Sequence, residues 1–198
     1  MFEDMGANKD TVRGVESGEP GEVGDAVLAL DLADGLGFGV SLEMIRVLGS
    51  AEEVVRASPS QLSKQLNLTH DRSAALVARI RDGVRRVPKE REAMTRLGCR
   101  LIELGSRDYP PLLATIPKPP LLLRVRGSIP NVDQEKCAAC IAIVGSRRPT
   151  ANGLRHAARF ARFFAQAGFH VVSGGARGID SAAHRGAMDV QQPTCAVL

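Results

Sequence analysis

Two periodicities divide the chain. From Ala26 to about Val87 apolar positions recur at helical spacing in short segments: Leu28, Leu30 and Leu32 precede a glycine-rich turn, and Leu42, Ile45, Val47 and Leu48 follow it. Ser50 with Glu53 three residues on has the spacing of a capping box and predicts a helix holding Val54 and Val55. Ser58-Pro59 starts another, since proline suits the first helical turn, with Leu62 and Leu66 inward. Thr69 or Asp71 caps the next, which carries Ala75, Leu76 and Ile80. Between Arg79 and Arg100 the charges alternate in sign, the pattern of a solvated helix face with supporting pairs.

After Arg100 the texture changes. Leu101–Leu104 and Leu121–Gly127 read as short strands, with the proline-rich Tyr109–Leu113 and Ile116–Pro120 as turn and extended segments between them. From Cys140 the alternation is that of an α/β unit. Ile141–Val144 is a short apolar run ending at Gly145, as a buried parallel strand requires. A helix is predicted from about Asn152 to Ala167, with Leu154, Ala157, Ala158, Ala161 and Ala165 inward and Arg155, Arg159, Arg162 and Gln166 on the wet side. Phe169–Val172 is the next strand, Asp180 caps a helix through Met188, and Thr194–Leu198 begins a third strand. The boundaries implied are an acidic disordered tail to residue 25, a helical module over 26–88, a connector with short strands over 89–136, and an α/β domain over 137–198. The predicted class is therefore α/β: a small helical module followed by the first half of a doubly wound, Rossmann-like parallel sheet.

Charge sharpens this picture. The 198 residues carry a net charge of +4, unevenly spread. Up to Asp34 nine carboxylates face only Lys9 and Arg13, whereas from Ile141 onward seven arginines face only Asp180 and Asp189. A basic end points to phosphate-bearing partners. No signal peptide or bilayer-length apolar run is present, so the expectation is a cytoplasmic protein with no membrane partner. Cys137 and Cys140 have metal-like spacing but no second pair, so both are read as structural, Cys140 as a small strand hydrophobe, and no metal or cofactor is expected.

Candidate chemistry sits where the parallel strands end, because ligands in such sheets bind beyond the carboxyl ends of the strands. The turn Gly145-Ser146-Arg147-Arg148-Pro149-Thr150 offers a glycine for close approach, a hydroxyl and guanidinium forks. The turn Ser173-Gly174-Gly175-Ala176-Arg177-Gly178-Ile179-Asp180 exposes successive amides beside another arginine. Neither contains a G-x-G-x-x-G fingerprint or a P-loop G-K-[ST]. A third glycine turn, Leu36-Gly37-Phe38-Gly39, has the form of a helix-hairpin-helix loop, but its acidic surroundings favour a purely geometric role.

Ile141–Arg147 and Val172–Ala187 resemble the matching motifs of the DNA-processing protein A (DprA, or Smf) family, and Tyr109–Leu113 and Pro119–Gly127 resemble that family's entry into its Rossmann-like domain. The helical module is similar to the family's sterile-alpha-motif or helix-hairpin-helix module. The resemblance implies single-stranded DNA binding without strong sequence preference, loading of the recombinase RecA during natural transformation, a homodimer in the full-length protein, and no chemical reaction. Carried onto this sequence, the DNA-gripping positions are Gly145, Ser146 and Arg147 with Ser173, Gly174 and Arg177. Gly175 stands where family members often carry a larger apolar residue, a departure expected to loosen the loop.

Two other function classes remain. A nucleotide-binding Rossmann-like hydrolase of the same superfamily would recruit Ser173, Asp180 and His184. Against it, capping accounts for Asp180 and a helix-surface or packing role for His184, and the Pro-Gly-Gly-x-Gly-Thr loop of such enzymes is not seen. A protein-interaction module would use the N-terminal helices, and the acidic balance near Asp31 and Asp34 favours protein over DNA there. The end of the sequence in an apolar strand, Cys195–Leu198, leads to the expectation of a truncated sheet.

Overall fold

The computed structural model describes residues 24–129 and 139–198. The acidic stretch through residue 23, and Cys137, lie outside the described residues. The chain divides into two compact units, Met1–Gly127 and Ser128–Leu198.

The first unit packs five helices and a small helical turn with a β-ribbon. The helices are α1 (Asp25–Leu32), α2 (Phe38–Leu48), α3 (Ala51–Arg56), α4 (Pro59–Leu66) and α5 (His70–Leu97). Asp25, read from sequence as the end of the tail, opens α1. Thr69, not Asp71, is the α5 N-cap, its hydroxyl accepting from Arg72 N–H at 3.4 Å. At Ser50 only half of the expected capping box forms: Ser50 Oγ accepts from Glu53 N–H at 3.2 Å. The reciprocated box is at Ser58, where Gln61 closes it with bonds of 2.8 and 3.3 Å.

The 28-residue α5 continues through Pro88, so the sequence boundary at residue 88 falls inside a helix. A proline there removes one backbone bond, and packing holds the helix together. Gly83 shows how close that packing is, because a Cβ on it would lie 2.1 Å from Ala29 O of α1. The fully buried Leu28, Leu30, Leu36, Met44, Val54, Leu62 and Ile80 form the core, each side chain contributing about 2 kcal/mol of burial. Strands β1 (Cys99–Glu103) and β2 (Leu122–Arg126) pair antiparallel, and Leu121 and Leu122 extend the core. Between them Pro111–Ala114, in a stretch expected as turn and extended segments, forms a helical turn, α6. Tyr109, 4% exposed, donates its hydroxyl to Pro120 O at 2.8 Å and fastens this connection.

The carboxylates of α1, and Asp34 just beyond it, are ion-paired. Asp25 pairs with Arg91 at 2.9 Å, Asp34 with Arg86 at 2.8 Å, and Asp31 with Arg124 at 2.7 Å. Arg124 also reaches Glu90 at 2.6 Å. Asp25 and Asp31 of α1, and Asp34 just beyond it, are thus paired with arginines of α5 and β2, which locally offsets their charge. The 36–39 turn is likewise structural in form: Gly37, at φ 64°, is the N-cap of α2, and Arg79 donates to Gly35 O at 2.8 Å.

The second unit is a three-stranded parallel sheet, β3 (Cys140–Ala142), β4 (His170–Gly174) and β5 (Thr194–Val197), in the spatial order β3-β4-β5. Helices α7 (Ala151–Gln166) and α8 (Ile179–Met188) connect successive strands. Alternation along β4 buries Val171 and Ser173. Val171 shares a core with Ala161 and Ala165 of α7 and Ala183 and Ala187 of α8, so both helices cover the same face. Small residues let them touch: a Cβ on Gly186 would lie 2.2 Å from Ala158 O. The inward and outward faces predicted for α7 are the ones observed. Cys140, expected to act as a strand hydrophobe, is exposed instead. Among the described residues no helix is long and apolar enough to cross a membrane.

Candidate nucleic-acid interface

The first candidate loop begins where Ile143 N–H makes its last bond to β4, to Val172 O at 3.0 Å. The chain then leaves the sheet through Gly145, whose missing side chain matters: a Cβ there would lie 2.9 Å from Ile179. Ser146 Oγ accepts from Arg148 N–H at 3.1 Å, which folds the loop back and leaves the hydroxyl proton available. Thr150 ends it as the N-cap of α7, accepting from Gly153 N–H at 3.1 Å. Arg147 and Arg148 project into solvent.

The second loop runs from the end of β4 to α8 and is fastened to the first. Ile179 N–H donates to Ser146 O at 3.2 Å. The approach depends on Gly178, which adopts φ 92° and ψ −125°, and whose Cβ would lie 2.3 Å from that same Ser146 O. Few residues other than glycine tolerate such a backbone, and none tolerates that contact. Ser181 Oγ donates to Ala176 O at 2.7 Å, holding the loop's middle onto the first turn of α8.

The result is one edge with unused donors and cations. Among the described residues no backbone hydrogen bond is made by the amides of Ser146, Arg147, Ala176 or Arg177. Neither Arg147 nor Arg177 is in an ion pair with a described carboxylate. The N-terminus of α8 adds the positive end of its dipole to the same region. Amides without backbone partners, exposed guanidinium groups and a helix N-terminus form an arrangement suited to phosphate oxygens.

Of the predicted site residues, Gly145, Ser146 and Arg147 lie in the first loop, and Ser173, Gly174 and Arg177 border or lie in the second. Their positions differ in kind. Ser173 is 2% exposed and donates its hydroxyl proton to Ile143 O at 2.6 Å, so that hydroxyl ties β4 to the β3 end. Gly174 is constrained from one side, since a Cβ would lie 2.6 Å from Asp180 Oδ2. Asp180 is not the expected cap of α8. The cap position is Gly178, and Asp180 sits buried in the first turn with Oδ1 unpartnered among the described residues. His184, read from sequence as a packing residue, bridges Gly174 O at 2.9 Å and Thr194 Oγ1 at 2.8 Å. The departure at Gly175 is mild, because its φ is ordinary and a Cβ would meet only the flexible tip of Leu198.

The sequence reading included Gly178, Ile179 and His184 but missed the contacts they make: the close approach of Gly178, the bond from the Ile179 amide and the bridge of His184. The Gly-Ile-Asp sequence at a helix start was the available signal for the first two. Nothing in the sequence marks which carbonyl His184 reaches. Among the described residues no cluster of three or more His, Cys, Asp or Glu could hold a metal. In Cys195 on β5, burial pushes the thiol above its ordinary range, away from nucleophilic character.

A parallel α/β unit with two loops fastened together beyond its strand ends defines the class of protein as α/β. The chain belongs to the DprA/Smf family: the profile described as DNA recombination-mediator protein A matches residues 100–198. It is 38% identical over 91 residues to Protein Smf of Synechocystis, covering 46% of this chain and 23% of that protein. A putative DNA processing protein DprA of Mycobacterium tuberculosis is 32% identical over 166 residues, 78% of this chain and 40% of that one. The chain therefore spans less than half the length of these relatives. The X-ray structure of DprA from Streptococcus pneumoniae superposes with a TM-score of 0.54 at 21% identity, over 89% of this chain and 58% of that one. That likeness establishes the shared mixed α/β fold.

Proposed function

We propose that this chain binds single-stranded DNA through the backbone phosphates, at the edge formed by the loops 145–150 and 173–180. The observation that carries the reading is the Ile179 N–H to Ser146 O bond of 3.2 Å, which fixes two arginine-bearing loops side by side. Phosphate contacts are independent of sequence, so binding is salt-dependent and tolerant of base composition. Gly145, Ser146 and Arg147 supply close approach, a hydroxyl donor and a guanidinium. In the second loop Gly174 and Arg177 contribute in the same way, while Ser173 acts from beneath by holding the loop's base. The proposed role is that of a non-enzymatic, cytoplasmic DNA-processing protein, without a cofactor, that passes single strands to the recombinase RecA in transformation. The full-length protein is taken to be a homodimer, and the helical module a sterile-alpha-motif or helix-hairpin-helix element. Support for the non-enzymatic reading comes from Ser173 and His184, whose polar atoms are already committed to backbone and threonine partners.

The test is a fluorescence-anisotropy titration of labelled oligo-dT with the wild type and with Arg147→Ala/Arg177→Ala. Each lost phosphate contact removes about 1–2 kcal/mol, so the double variant should bind at least tenfold more weakly. Equal affinity of the two proteins would refute the assignment of this edge.

A further inference from the structure

We propose that the outer face of α7 is a base-stacking platform for the same single strand, with Phe160 and Phe163 as its rings. The proposal rests on the reading of the neighbouring loops as a single-stranded DNA site. Helix α7 packs through small residues, with Ala157, Ala161 and Ala165 as its buried positions. Its outer side carries two phenylalanines that stand in water, Phe160 at 57% exposure and Phe163 at 63%. Three residues apart, they are neighbours on one helix surface. Neither belongs to the core that α7 builds with Val171, Ala183 and Ala187, so packing does not account for this paired aromatic surface. Phe163 is also held in place. Its ring meets that of Phe164 edge to face, with centroids 5.4 Å apart, and the half-buried Phe164 in turn meets Phe169 at 5.5 Å. A ring already ordered loses little freedom when a base stacks on it.

Charge decides the occupant. The rings are interleaved with Arg155, His156, Arg159 and Arg162, all exposed, and α7 contains no Asp or Glu. Arg162 pairs with Asp189 at 2.8 Å, and Arg155 bonds Asn152 of its own helix. Arg159, one turn before Phe163, is in no ion pair among the described residues. A second copy docked on this face about a two-fold axis would set the arginines against their own counterparts, and like charges disfavour that pairing. A single strand suits both features, because the arginines attract its backbone and the rings receive its bases. The face is also continuous with the proposed phosphate edge. Helix α7 begins directly after Thr150, the end of the first loop. At 1.5 Å of rise per residue the two rings lie about 15 and 20 Å along the helix from that loop. A strand leaving the edge along α7 passes Arg155 and Arg159 on its way to the rings.

Two labelled strands of about 15 nucleotides separate stacking from phosphate gripping. One is oligo-dT; the other is an abasic strand of the same length, which keeps the phosphates and lacks the bases. The experiment is fluorescence anisotropy on the 198-residue chain, with sedimentation of the same samples. We expect the wild type to prefer oligo-dT by about thirtyfold, the least that two stacked bases supply. Phe160→Leu/Phe163→Leu keeps apolar bulk and removes both ring faces. It should bind the abasic strand as the wild type does and lose the preference for oligo-dT, to the same extent at low and high salt. Phe160→Tyr/Phe163→Tyr retains the ring faces and should keep the preference; its loss there too would overturn the platform. A Leu variant that still prefers oligo-dT as the wild type does would overturn it as well, and altered sedimentation of that variant would assign the face to a protein interface. A wild type that binds both strands equally would overturn the platform while leaving the phosphate edge intact. If the folded wild type binds neither strand, the DNA reading and the platform fall together.

Discussion

Gly178→Ala is the substitution that most directly strains the fastening between the two loops. Gly178 stands at φ 92° and ψ −125°, a region that is almost exclusively glycine's and that costs other residues roughly 1–3 kcal/mol. An added Cβ would lie 2.3 Å from Ser146 O, 2.9 Å from Pro149 Cδ and 3.1 Å from Arg147 C. Backbone blocks it on the first loop's side, so relief requires the loops to separate. Separation breaks the Ile179 N–H to Ser146 O bond, worth about 1 kcal/mol net. The sum is about 2–4 kcal/mol against the second unit, together with weaker oligo-dT binding. Gly175→Ala is the internal control, because φ there is ordinary and the Cβ would meet only the mobile end of Leu198. Urea unfolding followed by circular dichroism, with anisotropy on the same samples, measures both effects. Should Gly178→Ala unfold at the same urea concentration as Gly175→Ala and bind DNA equally well, the stapled-loop account is wrong.

Three further outcomes follow from the first unit. Gly83→Ala places a methyl 2.1 Å from Ala29 O, so α1 and α5 must part, and a loss of more than about 2 kcal/mol is expected in urea unfolding. Tyr109→Phe removes the bond to Pro120 O at 2.8 Å and should lower stability by about 1–2 kcal/mol by the same measurement. Burial, helped by Glu52, holds the Glu103 carboxyl above the ordinary carboxylate range. The folded state therefore binds this proton more tightly than the unfolded state does. The resulting stability is present below the unfolded pKa and disappears as pH rises through the higher folded value. Wild type should accordingly gain stability relative to Glu103→Gln on acidification from neutral pH through that window, and identical pH profiles would contradict the shift.

Much of the architecture was legible because it is written in local periodicity. The α7 face pattern and the apolar runs located the parallel unit. The run at 141–144, expected as a buried strand, nevertheless pairs only as Cys140–Ala142 with none of its residues buried, and the run at 169–172 became His170–Gly174. What escaped depends on partners distant in sequence. Asp180 looked like a cap because carboxylates favour helix starts, but the close approach at Gly178 moves the helix start back and buries Asp180 in the first turn. Ser173 looked like a ligand donor until register placed its hydroxyl against Ile143 O. The carboxylates of Asp25, Asp31 and Asp34 appeared unpaired because their arginines lie 52 to 93 residues away, on α5 and β2. The module boundary drawn at residue 88 falls inside α5, which tertiary packing carries across Pro88.

The most direct test of the central claim is the salt dependence of oligo-dT affinity for the wild-type chain. A backbone-led site spanning two loops neutralises two or three phosphates, which predicts a log–log slope of roughly −1.4 to −2.1 at about −0.7 per phosphate. The Arg147→Ala/Arg177→Ala protein should lose most of that slope. Affinity independent of salt, or a slope unchanged by the double substitution, would contradict phosphate gripping at this edge.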